Sequence, residues 1–383
     1  MFDVKLLKNI DWITIALVFV LVSIGLVSIA SIMATPFDGN EQGISDYLAK
    51  VNMYYIKKQI VNFLVGLAAF LVMIVLDYHM FKLVIKYAYL FFVFLLVVLF
   101  TAEKTRGIQG WFIIGGDRAI QPGELCKIVI IVTLAKIASE SMDKNGGALR
   151  DFKSIALCVL YCAIPTVLVM LQPDFGTAFV YLCIMVVIFF IAKIGWGYIA
   201  IAAGTVAAGL PLGYFYVMNE EQQKRIDVFL NPDLDPLDKG YNVAQSKIAI
   251  GSGQLFGKGF FSSGTLAQLR FVPERHTDFI FAGIVEGIGF VGGMIIILLY
   301  FLLIFRWLWI AFKAKDNFGS CLVVGVMGML LAHVFENIGM TIGLMPVTGI
   351  PLPFISYGGS NLLTNMIGVG IVENVWMRRP TKR

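Results

Sequence analysis

Apolar residues in this chain come in long uninterrupted runs. Segments 12–37, 59–76, 154–173, 175–192, 194–218 and 287–305 contain no Asp, Glu, Lys or Arg. The hydrocarbon core of a bilayer, about 30 Å thick, takes around 20 such residues as helix. Helix is the form to expect, because an open strand would leave backbone groups unpaired in lipid. The pattern predicts about ten spans, near 12–34, 59–77, 80–101, 121–139, 154–172, 175–193, 195–218, 277–306, 318–343 and 353–377. The expected fold is an all-α integral membrane bundle, polytopic, with a single transmembrane domain over 1–383. One large extracellular loop, 219–276, lies between spans seven and eight. The first run is long and lacks a small-residue cleavage pattern, so it reads as a span and not a removable signal.

Composition points the same way. Hydrophobic residues make up 58% of the chain and charged ones 14%, with mean hydropathy +0.83; globular chains carry about 25% charged residues. Basic residues in short loops set the orientation. With both termini cytoplasmic, Lys5, Lys8, Lys82, Lys144, Arg150, Lys153, Lys193, Arg306, Lys313, Lys315, Arg378 and Arg379 all fall inside. The net charge of +5 reflects these edges and gives no reason to propose nucleic acid as a partner. Five cysteines, Cys126, Cys158, Cys162, Cys183 and Cys321, all lie in predicted spans. They read as small apolar residues, since no His joins the Cys158–Cys162 pair to make a metal site.

Chemistry must sit where polar groups interrupt the apolar pattern. In Gln121-Pro122-Gly123-Glu124-Leu125-Cys126-Lys127, Pro122 suits a first helical turn. Glu124 and Lys127, three apart, share a face. Ionisable residues at membrane depth usually face a polar interior with a partner, so this pair is a candidate binding element; the alternative is an interfacial ion pair at a helix start. In Gln172-Pro173-Asp174-Phe175-Gly176-Thr177, Asp174 can cap the next helix, contact a ligand, or do both.

The predicted loop holds the third place. Arg225 and Asp227 lead into a turn-rich stretch, Asn231-Pro232-Asp233-Leu234-Asp235-Pro236, that does not meet the calcium-loop pattern. Residues 241–250 read as a short amphipathic surface helix. From Gly251 a glycine-rich loop follows, either an ordinary turn or one whose N–H groups approach a phosphate. The segment ends in Pro273-Glu274-Arg275-His276-Thr277-Asp278-Phe279. Thr277 or Asp278 could be a helix cap. Asp278 also enters an apolar run, where desolvation would favour a general base. Glu286 lies two turns further on the same face, while His79 and His333 read as interfacial or packing residues.

Together these residues resemble the SEDS family (shape, elongation, division and sporulation), its RodA branch more than its FtsW branch. The resemblance covers essentially the whole chain. It rests on Gln121-Pro122-x-Glu124 with Lys127, on Gln172-Pro173-Asp174-x-Gly176-Thr177, and on the run 245–253, Gln-Ser-Lys-Ile-Ala-Ile-Gly-Ser-Gly. Pro273 to Phe279 and the run 349–360, Gly-Ile-Pro-Leu-Pro-Phe-Ile-Ser-Tyr-Gly-Gly-Ser, complete it. The resemblance implies a peptidoglycan glycosyltransferase that polymerises lipid II at the outer face of the membrane during elongation and shape maintenance. It implies as partners a class B penicillin-binding protein, other elongation-complex membrane proteins and membrane lipid.

An α-linked sugar pyrophosphate becoming a β-1,4 glycan implies inversion, with a base to deprotonate the acceptor hydroxyl and cations to meet the departing pyrophosphate. By resemblance Asp278 takes the base or acceptor-orienting role. Lys127, Arg225 and Lys247 are candidates for the pyrophosphate, with Glu124 holding Lys127, and Asp174, Glu274, His276 and Ser356 complete the substrate site. A divalent cation, Mg or Mn, could share the duty, but no ligand set identifies one. Three positions depart from the family: Gly110 where Arg is common, Gly123 where Ser is usual, and Gly287 where a second acid is common. Arg106 or Arg118 could replace the cation missing at Gly110. Two other classes stay open, a lipid II flippase and a structural scaffold. Transporters favour internal repeats and broken helices at the midplane, whereas this chain concentrates its charged residues near the predicted outer face, which suits surface chemistry better.

Overall fold

The computed structural model describes residues 8–36, 44–102, 110–113, 119–201, 204, 214–215, 220–231, 234–235, 239–262 and 264–380. They are overwhelmingly helical: α1 (Trp12–Ile32), α2 (Ile44–Lys50), α3 (Met53–Val75), α4 (Phe81–Val98), α5 (Pro122–Lys144), α6 (Phe152–Leu171), α7 (Phe175–Ile191), α8 (Glu220–Leu230), α9 (Lys239–Ser252), α10 (Ile280–Phe312), α11 (Asn317–Thr341) and α12 (Gly359–Met377). A two-residue hairpin, β1 (Phe112–Ile113) against β2 (Ala119–Ile120), precedes α5. Helices fall on the predicted spans; of 195–218, residues 196–201 are helical and most of the remainder lies outside the described residues. Six of them are long and apolar enough to cross a membrane: Trp12–Ile32, Met53–Val75, Tyr78–Thr101, Phe152–Leu171, Ile280–Phe312 and Asn317–Thr341. The protein is a multi-pass helical membrane protein.

Short polar residues set the helix starts. Asp11, Asn52, Asp151, Asp174 and Asp316 each accept a backbone N–H from the first turn of the helix that follows. Such caps satisfy donors that have no partner within the helix, worth about 1 kcal/mol each. Pro122 stands at the start of α5, where its missing N–H costs nothing.

Burial is uneven in a way that locates the interior. In α11, 78% of the apolar window is buried, against 22% in Met53–Val75. Helix α11 packs against α5, α7, α10 and α12, and α12 lies along α3. The outward faces of α3 and α4 carry exposed Leu64, Leu71, Leu83, Leu90 and Phe94, as lipid-facing helices require.

Helix α10 is broken at Gly289, where φ is 73°. Residues 253–259 lie against the break and supply its backbone partners. Phe290 N donates to Gln254 O (2.8 Å) and Val291 N to Leu255 O (3.1 Å), while Lys258 N and Gly259 N donate to Glu286 O (3.0 Å) and Gly287 O (2.8 Å). The approach is so close that a Cβ on Gly257 would sit 2.2 Å from Gly287 O. The glycine-rich run is thus a helix-docking device. The amides of Lys258 and Gly259 are spent on α10 and not offered to a phosphate. Glu286, fully buried, completes the anchor: its carboxylate accepts from Lys258 Nζ (2.9 Å), Leu266 N (2.8 Å) and Ala267 N (3.1 Å).

Candidate functional site

Two polar assemblies lie toward the end of the bundle that carries residues 268–279 and 349–358. The deeper one begins in the first turns of α5. Lys127 Nζ donates to Glu124 Oε1 at 2.7 Å and lies 2.7 Å from His333 Nε2. A lysine has no acceptor, so His333 Nε2 accepts and its Nδ1–H donates to Met329 O at 2.7 Å. Asn361 Nδ2 donates to Glu124 Oε2 (3.3 Å). Lys127 and His333 are wholly buried. One turn beyond His333, on the same face of α11, both carboxylate oxygens of Glu336 are buried without a hydrogen-bond partner. Gln121 ties the cluster to its neighbours. Its N–H donates to Ser360 Oγ (3.1 Å) and its Nε2 to Asp174 Oδ2 (2.9 Å).

Asp174 is a cap: it accepts Thr177 N (3.1 Å) and Thr177 Oγ1 (2.9 Å) and is buried. Glu124 and Lys127 form the expected pair, but in the core and not at an interface. The enclosure of Lys127 directs its charge to Glu124 and His333. His333 is no mere packing residue.

The second assembly surrounds Asp278. Helix α10 starts at Ile280 with Phe279 as its cap residue and no side-chain capping bond. The cap position expected at Thr277 or Asp278 is thus held by Phe279. Asn337 Nδ2 holds the turn in place, donating to Asp278 O (2.8 Å) and Ile350 O (2.7 Å). Beside the half-buried carboxylate stands Gly349, at φ 76°; a Cβ there would lie 3.5 Å from Asp278 Oδ2. Thr277 Oγ1 donates to Glu274 Oε2 (3.2 Å). The His276 ring meets Tyr55 and Tyr357 with centroids at 5.2 and 5.6 Å. Ser356 holds two strands of this turn together: its hydroxyl donates to Thr277 O (2.7 Å) and accepts Leu352 N (2.8 Å). Gln59 donates to Ser356 O (3.1 Å) from α3.

Lys247 is exposed on α9 and lies across Gly343, φ 76°, where a Cβ would meet its Cε at 2.2 Å. Ser246 Oγ seats the same helix by donating to Thr341 O (2.7 Å). Arg225 lies on α8, with its side chain outside the described residues, as are Arg106 and Arg118. Gly123 has room for a Cβ, 3.5 Å from Thr177 Cγ2, so the departure from Ser there is tolerated. A Cβ on Gly287 would press on Phe260 at 3.1 Å.

Sequence reasoning missed His333, Glu336, Asn337, Asn361 and Gln59. The available signal was spacing: His333, Glu336 and Asn337 stand at i, i+3 and i+4, one face of an otherwise apolar helix.

A polytopic helical bundle with buried ionisable groups inside it, and an acidic turn at the mouth of a broken helix, defines a membrane protein with a polar site near one end. The chain belongs to the FtsW, RodA and SpoVE family of cell cycle proteins, which it matches over residues 11–380. It is 38% identical over 324 residues to the peptidoglycan glycosyltransferase MrdB of Escherichia coli K12, covering 84% of this chain and 86% of that one. A solved structure described as a peptidoglycan synthase complex coordinating polymerization and crosslinking superposes with TM-score 0.77, at 27% identity over 96% of this chain and 97% of the other. The crystal structure of a mutant of the Thermus thermophilus rod shape determining protein RodA gives TM-score 0.69, at 26% identity over 97% and 99%.

Proposed function

We infer that this chain is a peptidoglycan glycosyltransferase that polymerises lipid II into glycan strands at the outer face of the cytoplasmic membrane, releasing undecaprenyl pyrophosphate. The observation that carries the reading is Asp278. Its half-buried carboxylate stands beside Gly349, and its backbone carbonyl is held by Asn337, so the turn that carries it is fixed. It deprotonates the acceptor 4-hydroxyl as the anomeric centre becomes oxocarbenium-like. Pyrophosphate leaves readily as an anion, so the site needs cations and no strong general acid. Lys247 and Arg225 meet that charge from the loop helices. Lys127, enclosed with Glu124 and His333, ties α5 to α11, and Gln121 ties the start of α5 to that of α7.

In this reading the chain crosses the membrane ten times with both termini in the cytoplasm, and 219–276 lies outside. Its partner is a class B penicillin-binding protein, which supplies the transpeptidase this chain lacks. The synthase complex among its structural neighbours and the peptidoglycan glycosyltransferase relative support that assignment. The test is polymerisation of labelled lipid II by purified protein beside a flipping assay in liposomes. Strand synthesis by wild type and its loss in Asp278→Ala are expected. Flipping without synthesis would favour the transporter.

A further inference from the structure

A cavity of about 590 Å3 opens between the end of α1, the α2–α3 junction and residues 268–276. Asp278 is not among its lining residues, yet His276, two positions earlier in the same turn, is. Two of its lining side chains carry unsatisfied polar atoms of opposite kind. Gln268 is 3% exposed; its Nε2 donates to Ser31 O (3.4 Å), while its Oε1 has no partner. Arg275 Nε is likewise buried with no partner. Proteins retain few such atoms, because each forgoes a hydrogen bond it has already been desolvated to make.

The charge balance sharpens the point. Arg270 also lines the cavity, and burial together with the Arg270 charge pushes the Arg275 guanidinium below its ordinary pKa. Lys50, Arg270 and Arg275 outnumber Glu274 among the lining residues, so the cavity carries a surplus of positive charge that an arriving anion offsets. Glu274 lines the cavity, but its Oε2 accepts Thr277 Oγ1 at 3.2 Å. The backbone is strained at both ends of this short segment, with Arg270 at φ 66° and Glu274 at φ 47°. Left-handed φ in non-glycine residues is held only where surroundings enforce it. Tyr55 and His276, whose ring centroids lie 5.2 Å apart, give the lining its aromatic part.

We propose that this cavity is a subsite for an anionic amino sugar. The sugar ring lies on Tyr55 and His276, its acidic substituent meets Arg270 and Arg275, and an amide N–H or hydroxyl of the sugar donates to Gln268 Oε1. The proposal rests on the glycosyltransferase reading above. A substrate of that class carries acid at two places, the pyrophosphate on the anomeric carbon and the carboxylates of the peptide stem. Either anion satisfies the arginine pair, and the test separates them.

The full chain in detergent is titrated by calorimetry with two lipid-free probes, inorganic pyrophosphate and a GlcNAc–MurNAc pentapeptide. Wild type is expected to bind at least one. Binding of pyrophosphate identifies the phosphate as the anion; binding of the muropeptide alone identifies the stem carboxylates. Arg275→Gln and Arg270→Gln should weaken that probe tenfold or more, the loss expected for a charge-assisted bond. Arg275→Lys should recover part of it. Gln268→Met should weaken the muropeptide and leave pyrophosphate unaffected. In polymerisation, Arg275→Gln should raise KM several-fold with kcat kept, unlike a change at Asp278. Arg270 is exposed, so its variant keeps the test open if Arg275→Gln fails to fold. Wild type that binds neither probe, or folded arginine variants with unchanged affinity and KM, would overturn the proposal even if polymerisation is intact. Probe binding without polymerisation would instead overturn the glycosyltransferase reading.

Discussion

Lys127 brings a positive charge into a wholly buried position and spends it on one carboxylate and one imidazole. Removing one member of such a set leaves the others desolvated and unpaired, at a cost of roughly 3–5 kcal/mol. Lys127→Met should therefore lower the thermal midpoint sharply, and the double variant Glu124→Gln with Lys127→Met should regain most of the loss. A single and a double variant with equal midpoints would show that the charges are not coupled. The pair was legible in the sequence because three-residue spacing on a helix puts two side chains on one face. His333 was not, because a lone histidine in an apolar run reads equally well as core. Its partner lies 206 positions away, a distance that no helical periodicity encodes. Asp278 was legible as a candidate from its place at the edge of an apolar run. Its place one residue outside the cap position was not, because that depends on where the helix begins.

Composition made the helical runs readable, since uncharged stretches of about 20 residues admit little else in lipid. The segment expected to start a helix at 353 instead forms an irregular turn, with α12 starting at Gly359. Ser356 and Tyr357 there bond to the 276–277 turn, Ser356 through its hydroxyl and Tyr357 through its backbone N–H, and a helix would not permit this. The break in α10 was hidden as well, because its cause is the backbone of residues 253–259, docked from outside the helix. Gly289 carries that docking: at φ 73° a side chain is strained, and a Cβ would lie 2.4 Å from Gly257 N. Gly289→Ala should cost several kcal/mol, about 1–2 from the left-handed backbone and 1–3 from overpacking. A fall in thermal midpoint, with faster proteolysis within 253–279, would be the readout. Glu286→Ala should expose the same segment by releasing Lys258, Leu266 and Ala267, whereas unchanged proteolysis in both variants would mean that the segment is held elsewhere.

Among the described residues, many of the buried polar groups are carried by the enclosed helices α5, α11 and α12, while the outward faces of α3 and α4 are largely apolar. An orientation with residues 219–276 outside makes a direct prediction. In a chain lacking its reactive native thiols, Leu255→Cys, at an exposed position, should react with a membrane-impermeant maleimide in intact spheroplasts. Lys313→Cys, exposed beyond the far end of α10, should react only after lysis. The reverse pattern would invert the topology and remove the site from the outer face. The central claim, that the Asp278 turn is where glycan strands are extended, is tested most directly by the rate of labelled lipid II polymerisation in folded Asp278→Asn against wild type. The account predicts that the variant keeps its thermal midpoint and the topology of its thiol labels while polymerisation falls by at least two orders of magnitude, as loss of a general base requires. A well-folded Asp278→Asn protein that polymerises lipid II at near the wild-type rate would contradict it.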